Sequence, residues 1–492
     1  MADVRKRIAM IGLDAGDLDF IQSSLSSLPN LRRALASGKL NRLESTADLL
    51  TGSIWPTFCT GTLPGVHGIY HHLQWDPRGM RLRRVADDWL YYEPFWYELE
   101  RRGLRVIAID VPMTFHSRLK RGVEIINWGS HETLTPFTAY PRALEKEIQQ
   151  RFGKHPMGCE ITVNKSRAEL ERIRSRLVQG AQRKSELCRW VLSSYEWDFF
   201  IGVFGECHRG GHILWPEDSM AESVVPEGAL PDVYRAVDKG VGEIIEMLSD
   251  QQTTIILFAL HGMGSNTSQE HFVPRIMDRV NRQFGGLAPV ASSEHEVKGQ
   301  RSVMRLLRER LPTPVQNAIG RAVPVSVRDA VVNRSVTGGY DWRKTLGFPQ
   351  LADLNGYLRL SLRGREREGI LEPDSGELKK YVDWVCDCFR SVRIERSGEL
   401  LVKDIFFATK EFAGDRSVFL PDMIVTWTGV SPADRIISNK LGVLKAELAT
   451  GRSGNHRAGG FCVFLGPDAS PAPEVLPTHI KDLARIISNM FS

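Results

Sequence analysis

Four short apolar runs, three of them closing on or beside a residue able to do chemistry, constrain this chain more than any other feature. Residues 7–13 (RIAMIGL) end at Asp14, and residues 104–110 (LRVIAID) end in Asp110. Residues 197–205 (WDFFIGVFG) run into Glu206, His208 and His212, and residues 253–260 (TTIILFAL) run into His261. Continuous apolar runs of this length read as strands buried on both faces. Helix-periodic sequence separates them, at residues 29–36, 95–102, 165–194 and 231–248. Further strands are predicted at 123–128, 356–362, 422–427 and 461–465, and helices at 378–390 and 481–490. Such alternation predicts an α/β fold, a doubly wound and mostly parallel sheet flanked by helices. Ligand sites in such sheets gather at the carboxyl ends of the strands, where these acids and histidines stand.

Residues 50–70 (LTGSIWPTFCTGTLPGVHGIY) carry a different signal. Thr51-Gly52-Ser53 precedes a helix-compatible run to about Thr60, then a Gly-Pro-Gly turn and His67-Gly68-Ile69. A hydroxyl just before a helix either caps it or, if a metal lowers its pKa, serves as a nucleophile beside a helix N-terminus that receives an anion. Each polar residue at the strand ends also has a structural reading: Asp14 as a helix cap, His261 as a satisfied turn histidine. His208 and His212 are spaced to share a helical face, a common ligand geometry, although Gly210 and Gly211 argue against a regular helix there. As a set, one acid, one hydroxyl and four histidines (His208, His212, His261, His456) suit one or two zinc-like ions that activate a hydroxyl and bind a phosphoryl oxygen.

The 492 residues accommodate one large α/β domain with insertions. A net charge of +5 is too small to argue for nucleic acid. The seven cysteines are scattered, and Cys386-Asp387-Cys388 is too tight for a zinc knuckle, so reduced thiols are expected. The apolar run near the N-terminus is shorter than a signal-peptide core, and nothing approaches a membrane span, so a cytoplasmic protein is expected. Residues 292–344 are rich in arginine, including Arg301, Arg305, Arg308, Arg310, Arg321, Arg328, Arg334 and Arg343. They read as a basic, mainly helical insertion, either a solvated surface or a cap facing an acidic substrate or partner. The core is then 1–291 with 345–492.

The order and context of Ile11-Gly12-Leu13-Asp14, the Thr51-to-Ile69 block, His208 to Trp215, His261-Gly262-Met263 and Asn455-His456 resemble the alkaline phosphatase superfamily, specifically its type I phosphodiesterase/nucleotide pyrophosphatase branch. The resemblance implies an alkaline-phosphatase-like core holding two metals, with a threonine that attacks phosphorus and forms a covalent intermediate hydrolysed by water. By position, Thr51 is the nucleophile, with Ser53 second. Asp14, Thr51 and His261 would bind one metal, and His212 and His456 the other. The Gly52 N–H would help stabilise the transition state.

Three positions depart from the family pattern. Leu260 stands where an aspartate ligand is usual, His208 where another aspartate is usual, and Ile54 where an asparagine is usual. With His208 as ligand, one site becomes His208, His212 and His456, a good zinc site. The other is weakened, unless Asp17 or Glu206 substitutes. The sulfatase branch is disfavoured because Ser53 and Trp55 occupy its proline and arginine positions, and the phosphoglycerate mutase branch needs more carboxylates. The expected function is hydrolysis of phosphodiester or nucleotide pyrophosphate bonds with one or two divalent ions, zinc ahead of manganese. The alternatives are a transferase or phosphonate/phosphomonoester hydrolase on the same scaffold, or a non-catalytic member that binds a phosphorylated ligand. Arg209, Lys165 and Arg457 are candidate anion contacts.

Overall fold

The protein is described from a computed structural model covering residues 6–130, 134–158, 166–216, 224–249, 253–285, 323–446, 451–466 and 476–492. Its centre is an eight-stranded sheet in the spatial order Lys39–Leu43, Gly460–Leu465, Thr253–Ala259, Arg7–Leu13, Phe199–Phe204, Val106–Ile109, Val123–Ile126 and Thr138–Tyr140. The five strands from Thr253–Ala259 to Val123–Ile126 run parallel, and antiparallel partners close both edges. The four apolar runs singled out from the sequence are all in the parallel part.

Side chains of the first strand divide between two apolar layers by the period of two that pleating imposes. Ala9, Ile11 and Leu13 enter one core cluster and Ile8 and Met10 the other, all at most 1% exposed. Phe200 and Phe204 join the first layer, while Phe199, Ile201 and Val203 join the second. A sheet buried on both faces needs helices on both, and burying each large apolar side chain contributes roughly 2 kcal/mol. On the first face lie the helices Arg167–Ser194 and Ala229–Ser249. Ser166 and Glu169 start the former with a reciprocal capping box that satisfies two otherwise unpaired N–H groups. On the second face lie Ile54–Thr60, Trp96–Arg101 and Asp482–Met490.

A second lobe follows in sequence. Strands Gly347–Gln350, Gly356–Leu360, Met423–Trp427 and Val402–Phe407 form an antiparallel sheet in that order. Helices Val273–Phe284 and Gly376–Arg390 pack on it through Ile276, Met277, Val280, Tyr381, Val385 and Phe389. The buried guanidinium of Arg359 reaches Glu366 at 2.7 Å and the Val418 carbonyl at 2.8 Å, which satisfies a charge that burial would otherwise penalise. Of the arginine-rich stretch 292–344, read as a mainly helical insertion, residues 292–322 lie outside the described residues. Val325–Thr337 is a helix, fixed to the Arg81–Arg84 strand by Arg84 on Asp329 at 2.7 Å. Among the described residues no helix is long and apolar enough to cross a membrane.

Candidate metal centre

Three neighbouring strands deliver the site. Arg7–Leu13 lies between Phe199–Phe204 and Thr253–Ala259, and all three end at the same edge. Asp14 extends the first strand by one residue, its N–H donating to the Phe204 carbonyl at 2.9 Å. His261 follows the third strand within two residues. His208 and His212 sit on the helix Glu206–Leu214, which starts as soon as the second strand ends. The expectation that Gly210 and Gly211 break this helix is wrong. A Cβ on Gly211 would lie 2.9 Å from the Met263 side chain, so the missing side chain permits close packing, which offsets the propensity cost. His456 arrives on the short strand Gly454–Arg457, paired antiparallel with Gly262–Ser265 so that it stands opposite Met263.

These residues converge although they are far apart in sequence. His208 Nε2 faces His212 Nε2 at 3.0 Å, and His261 Nδ1 faces His456 Nδ1 at 3.3 Å. His208 Nδ1 lies 2.7 Å from Asp14 Oδ2, and His261 Nε2 lies 3.5 Å from Asp14 Oδ1. Two ligand triads result, His208–His212–His456 and Asp14–His208–His261, with His208 common to both. All five side chains are at most 5% exposed. Burial would raise the Asp14 carboxyl, but His208 and His261 outweigh it and hold it well below the usual carboxylate range. Burial, then His208 and His261, drives His456 well below its ordinary value, so its imidazole is neutral, the form that binds a metal. Ring nitrogens facing one another in a buried pocket fit a divalent ion of the zinc type, which would take three imidazoles and keep a position open.

Neither proposed replacement for the missing carboxylate serves. Asp17 caps the helix Leu18–Ser23 by accepting from the Phe20 N–H at 2.8 Å. Glu206 is turned away onto His155 Nε2 at 2.9 Å. Leu260 is 1% exposed and belongs to the same apolar cluster as Ile54, Trp55, Phe58 and Phe258. Two of the three departures from the family pattern, Leu260 and Ile54, therefore lie in the same apolar cluster.

Thr51 opens a single 3-10 turn that leads into the helix Ile54–Thr60. It is 6% exposed, and the nearby Tyr357 hydroxyl of the second lobe donates to the Leu49 carbonyl at 2.9 Å. A Cβ on Gly52 would lie 2.3 Å from the Tyr70 carbonyl oxygen, so only glycine lets the chain pass there. Ser53 has structural work instead: its hydroxyl donates to the Leu50 carbonyl at 2.6 Å and sits 2.8 Å from Thr46 Oγ1. His67 is structural too, holding Thr57 Oγ1 at 3.1 Å and the Ile69 N–H at 3.1 Å. Burial pushes its imidazole down to about 3. Arg209 donates to the Ser130 and Gly158 carbonyls, so it is no anion contact, and Arg457 is exposed. Lys165 lies outside the described residues.

Sequence reasoning missed three contributors. Trp55, one helical turn after Thr51, donates Nε1 to Asp14 Oδ1 at 3.0 Å and so ties the Thr51 helix to the acid. The i, i+4 spacing was a usable signal. Asp353 and Tyr357 carried none, because they come from a loop and strand of the other lobe. Both line a cavity of about 230 Å³ beside the metal centre, with Glu270, Gln350, Arg452 and Asn455, the last adjacent to His456. Arg452 pairs with Asp353 at 3.4 Å, and His71 Nε2 lies 3.8 Å from it. Burial alone would raise Asp353, but His71 and Arg452 hold it below the ordinary value.

Burial and the Asp353 carboxylate push Glu270 from its ordinary 4.5 up to about 8, against the opposing pull of Arg452. The folded chain therefore keeps a proton that the unfolded chain releases above about 4.5, and stability falls as pH rises from about 4.5 through about 8. Glu270→Gln should flatten that part of the profile, by up to a few kcal/mol at alkaline pH, in urea titrations run from pH 5 to pH 9. Equal slopes in the two proteins would show that Glu270 titrates normally.

The type I phosphodiesterase/nucleotide pyrophosphatase family model matches residues 8–344. No curated protein matches the sequence. Among solved structures, phosphonoacetate hydrolase from Sinorhizobium meliloti, in complex with phosphonoformate, superposes with a TM-score of 0.51 at 13% identity, over 100% of this chain and 97% of the other. Murine ectonucleotide pyrophosphatase/phosphodiesterase 5, inactive and in complex with AMP, gives 0.49 at 11% identity, over 99% of this chain and 95% of the other. The chain belongs to the type I phosphodiesterase/nucleotide pyrophosphatase family.

Proposed function

We propose that the protein is a metal-dependent hydrolase of phosphodiester bonds that uses Thr51 as its nucleophile. The observation that carries this reading is the convergence of Asp14 and four buried imidazoles at the ends of three adjacent strands, tied to the Thr51 helix by Trp55. A module that only binds a phosphorylated ligand has no chemical need for such a set. Family membership supports the same reaction class.

His208, His212 and His456 would hold the ion, which when bound supplies Lewis-acid charge to a phosphoryl oxygen and acidifies a hydroxyl. Asp14, through Oδ2, fixes the orientation of His208 and raises its basicity, as carboxylates behind metal-binding histidines do. Trp55 fixes Asp14 in turn. Thr51 attacks phosphorus, the alcohol leaves, and water then hydrolyses the threonyl ester. The Gly52 N–H, next in the chain to Thr51, would help receive the developing charge. Ser53 is the weaker candidate because its hydroxyl is already committed to Leu50 and Thr46.

The second triad shares His208 and has lost a carboxylate at Leu260, so the reading includes one tightly held ion. Protein equilibrated with zinc and dialysed should retain close to one equivalent by elemental analysis. His212→Ala should lose it, with affinity falling at least about tenfold, since even outer partners of such ligands are worth that much. Two equivalents resistant to dialysis would overturn the single-ion reading. The reaction class is tested with bis(p-nitrophenyl) phosphate and the loaded protein. Turnover of a phosphonate or phosphomonoester with the diester inert would move the assignment to those reactions.

A further inference from the structure

The turn that carries Thr51 is held by the other lobe. Leu50, which precedes it, supplies no side-chain cap. The two carbonyls before that, of Asp48 and Leu49, are both taken up by the second lobe. Asn355 Nδ2 donates to them at 2.6 and 3.2 Å, and the Tyr357 hydroxyl donates to Leu49 at 2.9 Å. Asn355 and Tyr357 are at most 3% exposed, so water does not replace these donors when they are removed. The Tyr357 ring also packs edge-on against Tyr70, with centroids 5.7 Å apart, in an apolar cluster that contains Leu50. The Tyr70 carbonyl in turn leaves room for nothing larger than glycine at position 52.

The same segment reaches the metal ligands at its other end. The backbone carbonyl of Asp353 accepts from Asn455 Nδ2 at 2.7 Å, and Asn455 Oδ1 accepts the His456 N–H at 2.8 Å. Between the two ends the Leu354 carbonyl is pinned by Trp427 Nε1 at 2.8 Å and by Ser268 Oγ at 2.7 Å. Residues 353–357 therefore connect the strand of His456 to the turn of Thr51 through buried hydrogen bonds. Trp55 on Asp14 fixes the chain after Thr51, and this clamp fixes the chain before it. Attack on phosphorus is sensitive to such placement, since a misplacement of about 1 Å can cost on the order of 100-fold in rate.

Resting on the Thr51 reading above, we infer that residues 353–357 set the position of the nucleophile relative to the metal ligands, with Asn355 and Tyr357 as positioning residues. They act through the backbone of the turn, and they govern the rate of attack rather than the binding of substrate.

Tyr357→Phe removes a single hydroxyl, and Asn355→Ala removes the other donor should the first variant fold poorly. Each, loaded with zinc and assayed with bis(p-nitrophenyl) phosphate, should lower kcat by about tenfold or more with KM unchanged. Single-turnover formation of the threonyl ester should slow by the same factor, with zinc content at the wild-type level. In the metal-free protein, hydrogen exchange at the Gly52 and Ser53 amides should quicken. Tyr381→Phe is the control, because it removes a hydrogen bond of the same lobe, to Asn281 on the helix Val273–Phe284 at 2.6 Å. It should cost comparable stability and leave kcat and the exchange of those two amides unchanged. Wild-type kcat in both Tyr357→Phe and Asn355→Ala, or an equal loss of kcat in Tyr381→Phe, overturns the positioning role and leaves the Thr51 reaction standing. If the wild type turns over no diester, or Thr51→Ala is as fast as the wild type, the reaction assignment falls and the positioning role falls with it.

Discussion

Thr51→Ala should reduce turnover of bis(p-nitrophenyl) phosphate by on the order of 10³-fold or more, with zinc content and melting temperature close to wild type. Removing a nucleophile deletes the covalent path itself, and the residual rate comes only from substrate positioning and electrostatics. The stability half follows from the local geometry. Thr51 starts a single 3-10 turn whose neighbours are held by other groups: the Ser53 hydroxyl satisfies the Leu50 carbonyl, the Tyr357 hydroxyl donates to the Leu49 carbonyl at 2.9 Å, and Trp55 anchors the following helix to Asp14. Ser53→Ala should do the reverse: it removes two buried hydrogen bonds, at about 1 kcal/mol each, and keeps the nucleophile. Burst kinetics and single-turnover trapping on the two variants separate the roles. Should Ser53→Ala lose the covalent intermediate while Thr51→Ala retains it, the two hydroxyls must exchange places in the mechanism.

The largest loss of stability is expected at Lys184. Its ammonium forms an ion pair with Asp110, and both side chains are fully buried. Asp110 also accepts the N–H groups of Trp128 and Gly129, each at 2.7 Å. Across the same buried layer His155 pairs with Glu206, the first residue of the helix that carries His208 and His212. Burial would raise Glu206, but His155 and Lys184 hold it below the ordinary carboxylate value. Lys184→Met would leave the Asp110 carboxylate buried without its cation, at a cost of about 3–5 kcal/mol. The double variant Lys184→Met/Asp110→Asn should recover much of that, since removing both charges removes the desolvation penalty as well. Denaturant midpoints for the wild type, single and double variants measure the cycle. Zinc affinity should fall in the single variant with the loosened helix. Equal stability of all three proteins would mean that the pair contributes no net stabilisation.

The sheet was legible because strand identity is written locally. An apolar run of four to eight residues bounded by turns is too short for a typical helix, and its length assigns it to a strand. The strands at Arg7–Leu13, Phe199–Phe204 and Thr253–Ala259 lie where the sequence predicts them, to within two residues at either end. Asp14, His208, His212 and His261 were visible for the same reason, since each lies within a few residues of a strand that brings it to a common edge. The helix at Glu206–Leu214 was misread because the reason for two glycines, the Met263 side chain against Gly211, lies over fifty residues away.

What the sequence by itself determined, then, is the parallel sheet, the edge at which chemistry would gather and the residue types available there. Only the tertiary structure decided how they combine. It placed His208 between both triads, put Leu260 and Ile54 into one apolar cluster, gave Ser53 a backbone carbonyl to hold, and brought Asp353 and Tyr357 of the second lobe near His456 and Thr51. The physical reason is range. Strand and helix signals arise from neighbours a few residues apart, whereas a hydrogen bond between residues 41 or 194 positions apart, such as Trp55 or His208 with Asp14, leaves no periodic trace in the chain.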